Sequence, residues 1–114
     1  MDPSTDTVLL KIYIGESDHH GGKPLYKYIL ECLKKDGIAG ATVFRGLSGY
    51  GETSVIHTTS ILRLSSDLPI LIEVVDDKDK IEAIKPKLME IVKEGLITEE
   101  KIRVVFYKGS EGKA

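Results

Sequence analysis

Residues 45–57, Arg-Gly-Leu-Ser-Gly-Tyr-Gly-Glu-Thr-Ser-Val-Ile-His, are the stretch of this chain best equipped for chemistry. Gly46, Gly49 and Gly51 permit positive φ and let backbone N–H groups close on an anion, and Arg45 adds a charged, planar donor. The stretch interrupts two segments that read as strands, and a loop of this length in a compact chain of 114 residues is uncommon unless it binds or gates something. Two glycines one residue apart are a weak motif alone, and a plain connector is the competing reading.

A second candidate is His19-His20-Gly21-Gly22-Lys23, directly before the helix that Pro24 opens. The free N–H groups and the dipole of a helix start suit a phosphate, with Lys23 as counter-charge. The run is too short for a Walker motif, and a solvated loop leading into a helix is the bland alternative. His19, His20 and His57, with Asp18 or Glu52, carry metal-ligand chemistry in principle. Adjacent histidines diverge, however, and none is spaced i, i+4 on a helix, so surface roles are expected and no metal is predicted. Cys32 lies on an apolar helix face with no partner cysteine and reads as a buried, inert thiol. No nucleophile and base form a constellation, so the chain is not expected to be an enzyme.

The elements that must position these residues follow from periodicity. Residues 8–14 are apolar apart from Lys11 and stop at Gly15, as a strand does. Leu25, Tyr28, Ile29, Cys32 and Leu33 form one helical face ended by Asp36-Gly37. Residues 41–44 are a second strand, and a third is expected over about 58–75, bent near 65–69, with Pro69 at a bulge or edge. Residues 76–79 cap a second helix bearing Ile81, Ile84, Leu88, Ile91 and Val92, closed by Gly95 and bent at Pro86. Residues 102–107 supply the last strand, and 109–114 read as a frayed tail.

The order β-α-β-loop-β-α-β predicts an α+β, ferredoxin-like split βαβ fold, with a four-stranded antiparallel sheet and both helices on one face. A single domain over 1–114 is expected, ordered over about 7–108. Two helices leave the other face bare, where Leu9, Tyr13, Phe44, Val105 and Tyr107 should make an apolar patch. A cyclic homo-oligomer would bury it.

Charge narrows the partners. With 16 basic and 18 acidic residues and a net charge of −2, the chain lacks the broad positive field of a nucleic-acid binder. No apolar run approaches the ~20 residues needed to span a membrane, and residues 1–6 have no apolar core, so a cytoplasmic location is expected.

Residues 37–43, Gly-Ile-Ala-Gly-Ala-Thr-Val, then Gly49-Tyr50-Gly51, then Leu68-Pro69 through Val75, resemble PII signalling proteins in order and spacing. The likeness is closer to an uncharacterised PII-like branch, domain of unknown function 190. It is carried by Ile12-Tyr13-Ile14-Gly15-Glu16, Gly22-Lys23-Pro24-Leu25-Tyr26, residues 37–43 and Ile56-His57-Thr58. The resemblance implies a homotrimer that binds an adenine nucleotide (ADP, AMP or ATP) in inter-subunit clefts. It also implies a loop at 45–57 that reports occupancy to a protein partner, such as a transporter. On that basis Lys23, Thr42, Arg45, Gly49, Tyr50, Gly51, Lys101 and Arg103 are the expected nucleotide contacts. Where PII proteins have a second glycine-rich turn this chain has Glu94-Gly95-Leu96-Ile97-Thr98-Glu99-Glu100-Lys101, whose carboxylates favour a shorter phosphate chain. The rival readings are a divalent-metal-binding trimer of the same fold, resembling the divalent-cation tolerance proteins, and a ligand-free adaptor of a membrane transporter.

Overall fold

A computed structural model describes residues 1–51, 57–58 and 67–109 of the chain. Its core is one four-stranded antiparallel sheet built from β1 (Thr7–Gly15), β2 (Gly40–Arg45), β3 (Pro69–Asp77) and β4 (Leu96–Ile102), in the spatial order β2-β3-β1-β4. Helix α1 (Leu25–Lys35) connects β1 to β2, and α2 (Lys78–Ile91) connects β3 to β4. The ferredoxin-like fold expected from the sequence is therefore present.

Alternation divides the sheet into two faces. Val8, Leu10, Ile12 and Ile14 on β1, with Ile70, Ile72 and Val74 on β3, are buried under Leu25, Ile29 and Leu33 of α1 and Ile81, Ile84, Leu88 and Ile91 of α2. These helix positions recur at the three- and four-residue spacing that makes one apolar stripe. Gly37, at φ 78°, closes α1 in a conformation that costs glycine little, and the N–H of Ile38 donates to the carbonyl of Leu33 at 3.0 Å. Pro86 sits inside α2 without ending it.

The opposite face carries a cross-strand row of Leu96, Tyr13, Leu71 and Phe44, brought together by register. Tyr13, Phe44 and Leu96 are exposed. The neighbouring row places Thr98, Lys11, Glu73 and Thr42 side by side, and the next holds Leu9 and Val75. Leu9, Tyr13 and Phe44 lie where the sequence puts them. Val105 and Tyr107 do not belong to this face, because they lie beyond the sheet.

Two strands differ from expectation. The last strand is Leu96–Ile102, not 102–107, and it pairs with residues 7–13 along β1. Its charged run Glu99-Glu100-Lys101 reads as loop in sequence, yet on an edge strand such residues reach solvent and ions: Glu100 meets Lys11 at 3.7 Å and Glu99 meets Lys85 of α2 at 2.5 Å. Hydrogen bonds to Glu82 and then Glu99 raise the pKa of Lys85. The third strand runs over Pro69–Asp77 and not 58–75, and Pro69 is its first residue, a position where the missing N–H is tolerated. His57–Thr58 pairs instead with Ser48–Gly49 in a separate two-residue ladder, and the expected bend at 65–66 lies outside the described residues.

One buried polar group ties the α1–β2 connection to the end of β3. Asp76, 3% exposed, accepts the N–H of Ala39 at 2.9 Å and that of Asp77 at 2.7 Å. Asp76→Ala leaves both donors unmatched and is expected to cost about 1–3 kcal/mol. Asp76→Asn, which keeps one acceptor, should recover part of that loss. Urea denaturation of the two variants checks the order.

Candidate functional site

The glycine-rich stretch leaves the sheet where β1 ends, β2 ends and β3 begins. Backbone hydrogen bonds fix this corner: the N–H of Glu16 donates to the carbonyl of Leu68 at 2.8 Å, and that of Gly46 to the carbonyl of Pro69 at 2.7 Å. The Gly15 N–H donates to Asp18 Oδ2 at 2.9 Å and the Ser17 N–H to Asp67 Oδ1 at 3.1 Å. Gly46 and Gly49 both lie against the Pro69 ring. A Cβ on Gly46 would stand 2.7 Å from Pro69 Cγ, closer than side chains tolerate, and one on Gly49 would stand 3.2 Å away. Gly46→Ala must therefore displace the ring or the strand end, and is expected to lose about 1–3 kcal/mol of stability in thermal or urea unfolding.

Arg45, the last residue of β2, is held through Nε, 3.2 Å from Glu16 Oε2. Its side chain stays 59% exposed, which leaves the outer guanidinium donors toward solvent. The second carboxylate oxygen, Glu16 Oε1, is buried without a hydrogen-bond partner among the described residues. Tyr50 is 76% exposed and Gly51 is exposed beside it. Thr42 lies on the open sheet face opposite Glu73. Arg45, Gly49, Tyr50 and Gly51 thus gather at one corner of the molecule, with Thr42 on the strand leading into it.

Lys101 and Arg103 are elsewhere. Lys101 pairs with Val8 at the opposite end of the sheet, on the edge away from β2, and lines a shallow pocket of about 60 Å³ with Thr5, Asp6 and Lys78. Arg103 follows the end of β4 and is exposed. Lys23 sits on a short hairpin in which His19 faces Pro24 and His20 faces Lys23, and its ammonium meets Glu31 at 2.8 Å. The N–H of Leu25, the first residue of α1, donates to the carbonyl of Asp18 at 2.7 Å. The helix start proposed for a phosphate therefore has its first N–H and its counter-charge already engaged.

The histidines have local roles. His20 stacks on Tyr28, with ring centroids 4.2 Å apart, and His19 Nδ1 lies 2.6 Å from the carbonyl oxygen of Ser17. Among the described residues no group of three His, Cys, Asp or Glu side chains is arranged to hold a metal ion. Cys32 is a buried free thiol on α1. Glu16 and Pro69 are the corner residues that sequence reasoning did not assign to the site; the signal for Glu16 was its place directly after the strand-ending Gly15.

Comparison with known proteins places this architecture. The family model DUF190, described as an uncharacterised ACR, matches residues 7–104. The chain belongs to the DUF190 family. Similar DUF190 relatives include a UPF0166 protein of Aquifex aeolicus, 41% identical over 101 residues that cover 86% of this chain and 92% of that one. Another is UPF0166 protein MJ1524 of Methanocaldococcus jannaschii, 47% identical over 90 residues, 78% and 82% of the two chains. Among solved structures the DUF190 chain is similar to CPII, a nitrogen regulatory PII-like protein from Thiomonas intermedia K12 bound to ADP, AMP and bicarbonate. That match has a TM-score of 0.60 at 17% identity and covers 87% of this chain and 88% of CPII. It establishes a PII-like fold for the DUF190 chain.

Proposed function

We propose that this DUF190 protein is a non-enzymatic PII-like sensor, a cytoplasmic homotrimer that binds an adenine nucleotide between adjacent copies and signals occupancy to a partner protein through the loop at 45–57. The observation that carries this reading is the distribution of the cationic groups. Arg45 stands at one end of the β2 edge, level with Ile70 and Ile14, whereas Lys101 stands on the β4 edge, level with Val8. Three strand spacings and the length of β1 separate them, about 14 Å across and about 20 Å along the sheet. One copy cannot bring both to the same phosphates, but the facing edges of two copies can.

Two further facts support the reading. CPII, which shares the fold, is bound to ADP and AMP. The Nε contact with Glu16 holds the Arg45 fork while leaving its outer donors for an anion. Signalling requires that the nucleotide favour one state of the loop over another, by about 1–3 kcal/mol in typical cases. Calorimetric titration with ADP, AMP, ATP and cyclic AMP tests the proposal. Saturable heat with ADP or AMP, at one site per chain, is expected, and no heat with any of the four would overturn it in favour of a ligand-free adaptor.

A further inference from the structure

The last strand lies at the edge of the sheet with its helix side open. Register sets Ile97 beside Ile12 and Glu99 beside Leu10, on the side that the helices cover, yet no residue of Leu96–Ile102 is buried. The buried face of α2, Ile81, Ile84, Leu88 and Ile91, packs into the core with β1 and β3 instead. Between α2 and β4 this leaves a groove of about 210 Å³, with Leu10 and Leu88 as its floor and Met89 and Ile97 as its walls. At the rim Lys85 reaches across from α2 to Glu99 and also meets Glu82. We propose that this groove is a small-molecule site for an aliphatic monoamine, an ammonium head on a tail of about four to six carbons.

Charge selects the head. Glu82 and Glu99 share the single ammonium of Lys85, so the three groups sum to one negative charge. Lys85 meets Glu82 Oε2 and Glu99 Oε1, which leaves Glu82 Oε1 and Glu99 Oε2 for a second cation. The two carboxylate side chains are about half exposed, so those oxygens are within reach. Hydrogen bonds to the same two carboxylates raise the pKa of Lys85, the direction that an excess of negative charge produces. Lys78 and Lys101 line a separate, smaller pocket with Asp6. An anionic head would meet two carboxylates at the rim and be repelled.

Volume and polarity select the tail. At about 30 Å³ for each water-sized atom, 210 Å³ holds about seven, the size of a short alkylamine. Leu10, Leu88, Met89 and Ile97 offer no charged partner, so the second ammonium of a diamine would be buried there unpaired. The unbranched thioether of Met89 can shift to fit tails of different length. Each methylene that enters leaves water, so affinity should rise about fourfold per methylene from butylamine to hexylamine. The site shares no residue with the nucleotide contacts proposed above, and the two stand or fall separately.

Methionine-methyl NMR on the full chain without nucleotide is the test, because Met89 lines the groove and Met1, the other methionine, does not. Hexylamine should shift the Met89 signal saturably and leave Met1 in place, with hexanol and hexanoate at least tenfold weaker. Glu99→Gln keeps the size of the side chain and removes its charge, and should weaken hexylamine binding at least tenfold. Glu100→Gln makes the same change on the opposite face of the strand and should leave the affinity unaltered. Circular dichroism confirms that both variants are folded. The proposal is overturned by a Met89 signal that does not respond to hexylamine up to the millimolar range, or by equal affinity for hexanol or hexanoate. Parent affinity in Glu99→Gln, or equal losses in the two variants, would overturn it as well.

Discussion

Arg45→Ala should weaken ADP binding by about tenfold to about a hundredfold while leaving the fold intact. Hydrogen bonds to charged groups contribute about 1.5–3 kcal/mol, and each 1.4 kcal/mol is a factor of ten in affinity. The cost to folding should be small, because the Arg45–Glu16 pair is more than half exposed on the arginine side and such pairs contribute about 0–1 kcal/mol. Arg45→Lys keeps the charge but loses the planar fork and the Nε contact that aims it, so it should fall between the parent and the alanine variant. Titration calorimetry with ADP, alongside thermal unfolding of the same samples, separates loss of a ligand contact from loss of structure. Equal affinities for all three proteins would remove Arg45 from the site.

Ile72→Ala should bring the largest loss of stability of any single truncation considered, about 2–5 kcal/mol. Ile72 is fully buried at the middle of β3, between Ile12 on β1 and Val43 on β2, so no neighbour can move in without distorting the sheet. Domains of this size hold only about 5–15 kcal/mol in total, so the variant should unfold at much lower urea and can lose its native state at moderate temperature. Ile72→Val, which removes one methyl group, should cost about 0.5–1.5 kcal/mol. Met89→Ala, on the exposed side of α2, should stay within about 0.5 kcal/mol of the parent. Because association adds to apparent stability, the comparison belongs at one fixed protein concentration.

Sequence periodicity located both helices, because each carries its apolar residues on one face, and the strand at 8–14 reads from its nearly unbroken apolar run; Gly15 and Asp36-Gly37 are local stop signals, whereas α2 ends at Ile91, short of the expected Gly95. The last strand was not legible. Leu96–Ile102 becomes a strand because Thr7–Tyr13 lies beside it and Lys11 and Lys85 meet its carboxylates, none of which is visible in its own residues. Residues 103–107 have the stronger intrinsic preference but pair with no strand among the described residues. The site was legible in the same uneven way. Arg45 and the glycines announced themselves through local chemistry. Glu16, which holds Arg45, and Pro69, which sets the space at Gly46 and Gly49, act across the sheet from positions distant in sequence. The separation of Lys101 from Arg45 likewise depends on strand order, which fixes distances that a linear reading cannot.

Native mass spectrometry of the chain with ADP is the most direct test of a nucleotide held between copies. The account predicts a trimer carrying up to three ADP molecules, with no ADP on any residual monomer. A stable monomer, or ADP retained on single copies, would contradict it.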